Sequence, residues 1–337
     1  MIGLAKLAAG EGHVELADRP ERAPAPGEVV LDVAAVGVCG TDLHIWLGEY
    51  ACAPPITMGH EICGTVAALG AGVDERWLGM RVAAETFFST CGECRYCREG
   101  RLSVCERRRS IGTHVDGGFA PRLVLPARNL HRVPDALSDA GAALSEPLAC
   151  VCNSLLDPGA IRPGEDVLVI GPGAIGLIAA QVARACGGRV TVRGTERDGA
   201  RLALARELGF AVSVAGREQA PGADVVVECS GSGPGIADGL GAARRRGRLV
   251  QIGLRGADVT VPFDLICFHE LTVTSGFASN PGSWRRAMGL VEAGAVELAP
   301  LVTEVVPLAD WERAFAASRA GDGVKYVLDP RGDGPAS

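Results

Sequence analysis

No stretch of the 337 residues is apolar for the length of about 20 residues that a helix needs to cross a bilayer. The first residues also lack a basic segment followed by an apolar run and a small-residue cleavage site. Both absences predict a cytoplasmic protein. Blocks of like charge are missing as well: 33 Lys and Arg and 40 Asp and Glu are scattered along the chain, with a formal net charge of -7 and a pI near 5.5. Recognition of a phosphate backbone needs a concentrated basic face, so this distribution argues against nucleic acid as a main partner. The nearest approaches, Arg107 to Arg109 and Arg244 to Arg246, read as solvated faces or turns. No internal repeat is visible.

A chain of this length most naturally holds two domains, each large enough to bury its own core. The first half carries short β-type runs broken by Gly and Pro, at 28–36, 64–69 and 119–124, with the period of two that half-buried strands require. It reads as mainly β. From Asp166 the pattern changes. An apolar run at 167–170 leads through a glycine turn into a helical period at 174–186, then a strand at 190–192, a helix at 200–208 and buried-type strands at 224–228 and 248–252. Strands that alternate with helices and lack polar alternation predict a parallel sheet covered on both faces, an α/β nucleotide-binding half. Beyond Phe277 we expect a helix at 283–293, a strand at 302–306, a helix at 309–318 and a strand at 324–328, followed by a polar, frayed end at 331–337.

Gly171-Pro172-Gly173-Ala174-Ile175-Gly176 stands between the first of these strands and the first helix. In that context the first glycine permits a tight turn, the second lets backbone approach a pyrophosphate, and the third lets helix pack on strand. The helix N-terminus then offers free N–H groups to the phosphates. The residue that meets the adenosine ribose falls on Gly194 when counted forward from the second strand, and on Glu196 when counted back from Leu202 and Gly209. Gly194 flanked by Arg193, Thr195 and Arg197 would suit a 2′-phosphate, whereas Glu196 would suit free hydroxyls and repel that phosphate. The available carboxylate inclines the reading towards NAD over NADP.

Of the twelve cysteines, Cys91, Cys94, Cys97 and Cys105 crowd into fifteen residues at a spacing that can close four thiolates around Zn²⁺. Four thiolates leave no open position, so the role is structural, and Arg95, Arg98 and Arg101 are interleaved where they could offset the negative charge. A second constellation joins Cys39-Gly40-Thr41-Asp42-Leu43-His44 to Gly59-His60-Glu61. Thiolate, imidazole and carboxylate are donors suited to a catalytic zinc with one exchangeable position.

These motifs, with Asp116-Gly117-Gly118-Phe119-Ala120 and Glu146-Pro147-Leu148-Ala149, occur in the order seen in zinc-containing medium-chain dehydrogenases. The sequence resembles that family from about Pro26 to Leu328, and within it the polyol and threonine branch of sorbitol and L-threonine 3-dehydrogenases. The resemblance implies a GroES-like, mainly β catalytic domain at 1–151 and 279–337, with a Rossmann doubly wound parallel-sheet domain inserted at 152–278. It implies that Cys39, His60 and Glu61 bind the catalytic zinc with Glu146 at the fourth-ligand position, while Cys150 and Cys152 nearby are not expected to bind metal. Zinc would acidify a substrate hydroxyl and favour departure of a hydride to the nicotinamide. Thr41 would accept the hydroxyl proton and pass it through the cofactor ribose to His44 and solvent.

The expected activity is therefore the interconversion of a secondary alcohol and a ketone with NAD(P), by a homodimer or homotetramer. Trp46, Glu49 and Tyr50 follow the relay, and their rings and carboxylate suggest a cyclic polyol, sugar, aminocyclitol or aminoglycoside-type substrate. The runner-up substrates are threonine-like or acyclic polyols. A non-catalytic NAD(P)-binding protein and a zinc-free enone reductase are the competing readings, and the joint presence of Cys39, His60, Glu61 and Glu146 weighs against both.

Overall fold

The computed structural model describes residues 1–332, so the expectation of a frayed end falls mostly on residues 333–337, outside the described residues. The chain divides into two compact units, Met1–Glu146 with Leu298–Ser337, and Pro147–Glu297.

The first unit is built on a seven-stranded sheet. Its path runs Leu130–Arg132, Arg81–Ala84, Glu61–Leu69, Glu28–Gly37, Lys325–Asp329, Val302–Pro307, and Arg122–Pro126 pairs with the long Glu28–Gly37 strand off that path. Alternation of Val29, Leu31 and Val33 with partly exposed neighbours turns one face of the long strand into the core, which Val66, Val82, Leu123, Leu125 and Leu328 complete. The strand expected at 119–124 begins only at Arg122, because Phe119 and Ala120 lie in a bend, the ring of Phe119 being fully buried. The chain's return at its C-terminal end has a packing reason. Lys325–Asp329 is buried along its length and pairs antiparallel to Glu28–Gly37 and parallel to Val302–Pro307. Helix Trp311–Ala320 starts two residues later than the sequence predicts, since Leu308–Asp310 forms a separate 3₁₀ turn, and it ends on Gly321 in the left-handed conformation.

The second unit contains a six-stranded sheet of order Ala211–Val214, Arg189–Gly194, Asp166–Ile170, Ala223–Glu228, Ala243–Gln251, Thr272–Ser275, with every neighbouring pair parallel. This is the 3-2-1-4-5-6 order of a doubly wound dinucleotide fold. Helix Ala174–Ala185 is rich in Ala, Leu and Ile and buries eight consecutive residues from Gly176 to Ala183, as a helix packed on all sides must. Arg244 to Arg246, expected on a solvated face or turn, are exposed at the start of the strand Ala243–Gln251; Arg244 bridges Asp166 and Asp224 at 2.8 and 2.9 Å.

Helix Pro281–Glu292 belongs to this second unit, not to the first as the 278/279 boundary had it. Asn280 caps it in a reciprocal box with Ser283, Pro281 takes the first turn, and Asn280 also bonds Asn153. Trp284 is fully buried and donates to Ser279, and Gln181 exchanges two hydrogen bonds with the backbone of Glu297. These bonds fasten the segment 279–297 to helices of its own unit. The other boundary falls at Glu146/Pro147, within the helix Ser145–Leu155.

Among the described residues, no helix is long and apolar enough to cross a membrane.

Candidate metal and cofactor sites

Cys39 is the N-cap of helix Gly40–Trp46, and the capping box that starts the helix turns Asp42 inward: the Cys39 N–H donates to Asp42 Oδ2 at 2.9 Å. His60 and Glu61 lie at the start of Glu61–Leu69, which pairs with Glu28–Gly37, so the two strands bring Gly37 opposite Glu61. A ligand atom from each of Cys39, His60 and Glu61 lies within 4.8 Å of the others. A soft thiolate, an imidazole and a carboxylate at that separation fit a single zinc ion. Gly37 is required by this arrangement, because a Cβ there would overlap the carboxylate of Glu61.

The electrostatics are those of a buried, charged site. Burial works against charging His60, yet Cys39, Asp42 and Glu146 together hold its pKa well above the ordinary imidazole value. Burial pushes the Asp42 carboxyl up. Asp42 Oδ1 stands 3.8 Å from His60 Nδ1, and both atoms are buried without a hydrogen-bond partner. A carboxylate that accepts the free N–H of a ligating histidine orients its ring; Asp42 is the carboxylate placed nearest for that role, at a separation beyond hydrogen-bond reach. Asp42 was quoted in the sequence motif without a role; its place three residues after an N-cap was the available signal.

Lys325 was missed altogether. Its Nζ donates to both oxygens of Glu61, at 2.8 and 2.9 Å, and to the Val38 carbonyl at 3.0 Å. Burial opposes the charge on Lys325, but the neighbouring Glu61 and Cys39 hold its pKa above the ordinary lysine value. A lone lysine in an apolar strand, Lys325-Tyr326-Val327-Leu328, was the only trace of this in the sequence. Glu146, in the first turn of Ser145–Leu155, is buried and accepts from Thr86 Oγ1 at 2.9 Å; it neighbours the three-residue group without belonging to it. Cys150 and Cys152 belong to neither metal-fitting group; burial pushes the Cys152 thiol up to about 12, and the Cys150 carbonyl accepts from Ser154.

Thr41 and His44 stand on the same short helix as the thiol cap, Thr41 half-buried in its first turn. His44 Nδ1 meets Glu49 Oε2 at 2.6 Å, so the Glu49 carboxylate faces the histidine. Trp46 also departs from expectation. Its indole packs edge-on against Trp311 and Phe315 at 6.1 and 6.0 Å between centroids, and Tyr50 packs on the same core.

Cys91, Cys94, Cys97 and Cys105 have their sulfurs within 4.8 Å of one another. The Sγ atoms of Cys97 and Cys105 are 3.8 and 3.6 Å from that of Cys91. A tetrahedron with Zn–S bonds of about 2.3 Å has edges of about 3.8 Å, so the four fit a closed zinc site. Backbone N–H groups of Cys94, Cys97 and Cys91 point at the sulfurs of Cys91, Cys94 and Cys105, and the Cys94 N–H, with that of Glu93, pulls the Cys91 thiol down to about 6. One cation at the cluster is not among the three expected. Arg107 bonds the Cys91 sulfur and Glu93, while Arg95 is taken up by Glu99.

In the second unit, Gly173 caps helix Ala174–Ala185 in an extended conformation, and Gly176 lies against the Gly171 carbonyl, the helix-on-strand contact expected of the third glycine. The second strand ends on Gly194, with Glu196–Asp198 as a 3₁₀ turn after it. Glu196 is exposed and pairs with Arg217 at 2.6 Å. Arg193 is buried, held by Asp238 at 2.5 Å and by the Glu218 carbonyl at 3.1 Å, so its guanidinium is committed inside the fold.

A mainly β unit with two metal-fitting clusters and a doubly wound dinucleotide unit together define a zinc-dependent dehydrogenase of the alcohol type. Residues 25–135 match the alcohol dehydrogenase GroES-like domain, and residues 174–293 match the zinc-binding dehydrogenase domain. The chain is 35% identical to a sorbitol dehydrogenase of Halalkalibacterium halodurans, covering 98% of this chain and 99% of that one. It is 32% identical to an L-threonine 3-dehydrogenase of Deinococcus radiodurans, covering 98% of each. A zinc-binding dehydrogenase from Sinorhizobium meliloti, solved with NADP bound, superposes with a TM-score of 0.89 at 31% identity over 98% of this chain and 99% of that one. The chain belongs to the zinc-containing medium-chain family of NAD(P)-dependent alcohol and polyol dehydrogenases.

Proposed function

We propose that the chain oxidises a secondary alcohol of a polyhydroxylated substrate to a ketone, with hydride passing to NAD, and runs the reverse reduction. The observation that carries this is the convergence of Cys39, His60 and Glu61 within 4.8 Å in a unit that also holds a separate four-cysteine group. In this reading Cys39, His60 and Glu61 hold the catalytic zinc, with Glu146 behind them, and Cys91, Cys94, Cys97 and Cys105 hold a structural one.

Bound zinc supplies Lewis acidity, lowering the pKa of a hydroxyl placed beside it. Asp42 keeps the His60 ring in one orientation. Thr41 accepts the hydroxyl proton at Oγ1 as its own proton moves on, and His44 takes the relayed proton at Nε2 and returns it to solvent. Gly171, Gly173, Ala174, Ile175 and Gly176 receive the pyrophosphate, and Gly194, Glu196 and Arg197 surround the adenosine ribose.

Commitment of Arg193 to Asp238 removes one cation from the phosphate-binding alternative and supports NAD. The kinship with sorbitol dehydrogenase supports a polyol. The aminocyclitol and aminoglycoside reading loses its support, since Glu49 is engaged by His44 and Trp46 by the core. L-threonine remains the second substrate, on the strength of the threonine dehydrogenase relative. Twelve cysteines outside any disulfide support a reducing, cytoplasmic setting.

The test combines metal analysis with the absorbance of reduced nicotinamide across sorbitol, xylitol, cyclic polyols, sugars, amino sugars and threonine. Two zinc ions per chain and turnover of polyols are expected, and Cys39→Ala should keep the fold, lose one zinc and lose turnover. Normal turnover by Cys39→Ala would reject the catalytic assignment, and turnover of no alcohol would favour a non-catalytic nucleotide-binding protein.

A further inference from the structure

Helix Gly40–Trp46 closes in a turn that the chain fixes from an unexpected quarter. Lys6 is fully buried, and its ammonium donates to the carbonyls of Gly10 and Gly12, the latter at 2.6 Å. The loop so held donates the Gly12 N–H to the Trp46 carbonyl at 2.8 Å. It also leaves no room at Gly48, where a Cβ would strike the backbone of Gly10 and Glu11 and where φ is +74°. The next two residues then turn back onto the helix. The N–H groups of Glu49 and Tyr50 both reach the His44 carbonyl, at 2.8 and 3.2 Å, and the Glu49 carboxylate arrives on His44 Nδ1.

We propose that Glu49 is a positioning residue for the proton relay: it fixes His44 as the Nδ1–H tautomer. This rests on the reading of His44 as the relay terminus. An ionised carboxylate can only accept, so at 2.6 Å the Nδ1 atom must donate. The Nε2 lone pair is then the ring's free basic atom. When a proton arrives at Nε2 the imidazolium stays hydrogen-bonded to a carboxylate, and with its side chain a third exposed it can release that proton to water. Without Glu49 the ring is free to rotate and to carry its proton on Nε2, where it cannot accept another. The same logic operates when a carboxylate orients a catalytic imidazole in hydrolases.

The experiment uses the zinc-loaded enzyme at pH 8 and reads His44 by ¹⁵N–¹H correlation beside steady-state kinetics. The unaltered enzyme should show the Nδ1–H tautomer. Glu49→Ala should shift His44 mainly to Nε2–H and lower kcat by about tenfold, a fraction of what a whole proton-transfer group contributes, with KM little changed. Glu49→Gln, whose amide oxygen still accepts from Nδ1, should keep the tautomer and recover most of kcat. An unchanged tautomer in Glu49→Ala would overturn the inference, as would a Gln variant no better than Ala. His44→Ala separates the two layers: unchanged kcat there would overturn the relay and this inference with it. A fall in His44→Ala with none in Glu49→Ala would overturn this inference alone.

Discussion

At the scale of single residues the zinc-fitting site is a balance of buried charges. Buried Lys325 donates to both oxygens of buried Glu61, and buried Asp42 faces buried His60, with the half-buried Cys39 thiol beside them. Asp42 is the member with the most specific role, because its Oδ1 has no partner other than the 3.8 Å approach to His60. Asp42→Asn keeps the shape and keeps an oxygen for the Cys39 N–H, but removes the charge behind the imidazole. We expect about a 10- to 100-fold loss in zinc affinity or in kcat, as for other carboxylates behind metal-bound histidines, measured by competition with a chelator and by kinetics, with thermal stability nearly unaltered. Cofactor choice is also a residue-scale matter. If Glu196 meets the ribose, NAD should be preferred to NADP and Glu196→Ala should narrow the ratio of the two kcat/KM values. A preference for NADP in the unaltered enzyme would instead give the decision to Gly194 and Arg197.

At the scale of elements, the parallel sheet is pinned at the N-terminal ends of four strands. Asp166 accepts from Arg189 and Arg244, each at 2.8 Å, while Arg244 also reaches Asp224 and the Asp166 N–H donates to Asp224. Arg244 and Arg189 hold the Asp166 carboxyl below its ordinary value, and the Asp166 N–H together with Arg244 does the same for Asp224. A depressed carboxylate stabilises the fold above its unfolded pKa and loses that contribution as pH falls through its folded value. Asp166→Asn should therefore lower stability near neutrality by about 1 kcal/mol or less, since partial exposure screens the pairs. That is about 2 °C in Tm. The gap from the unaltered chain should close as the pH drops below about 4. A constant gap across that range, in thermal melts of the full chain, would show that packing and not charge fixes the strand ends. The same elements bear out the reading of this basic run as a solvated face, since Arg244, Arg245 and Arg246 are all exposed; what periodicity does not supply is the tether of Arg244 to Asp166 and Asp224.

At the scale of the whole molecule, what was legible in the sequence was what lies close along the chain. The glycine loop, the four-cysteine run and the pair His60-Glu61 announce themselves within a few residues, and the alternation of strand and helix after Asp166 predicts the sheet that is found. What was not legible depends on distant partners: Lys325 reaches Glu61 across 264 positions, and Trp46 finds Trp311 and Phe315 only once the C-terminal segment has returned. The assembly state is of the same kind. Among the described residues, the last strand of the parallel sheet, Thr272–Ser275, has a neighbour on one side only, and Val273 is 45% exposed upon it. Phe268 and Phe263 nearby are 68% and 66% exposed. An unpaired sheet edge with exposed apolar side chains on and near it is an aggregation hazard unless another chain covers it, and a second copy aligned on the same edge would extend the sheet and bury those rings. We therefore expect a dimer or tetramer by native mass spectrometry and sedimentation. Val273→Lys, placing charge on that edge, should shift the population towards monomer, with zinc content unchanged. A protein that is monomeric at micromolar concentration, or a Val273→Lys variant with unaltered assembly, would place the interface on another surface and leave the exposed edge to be explained.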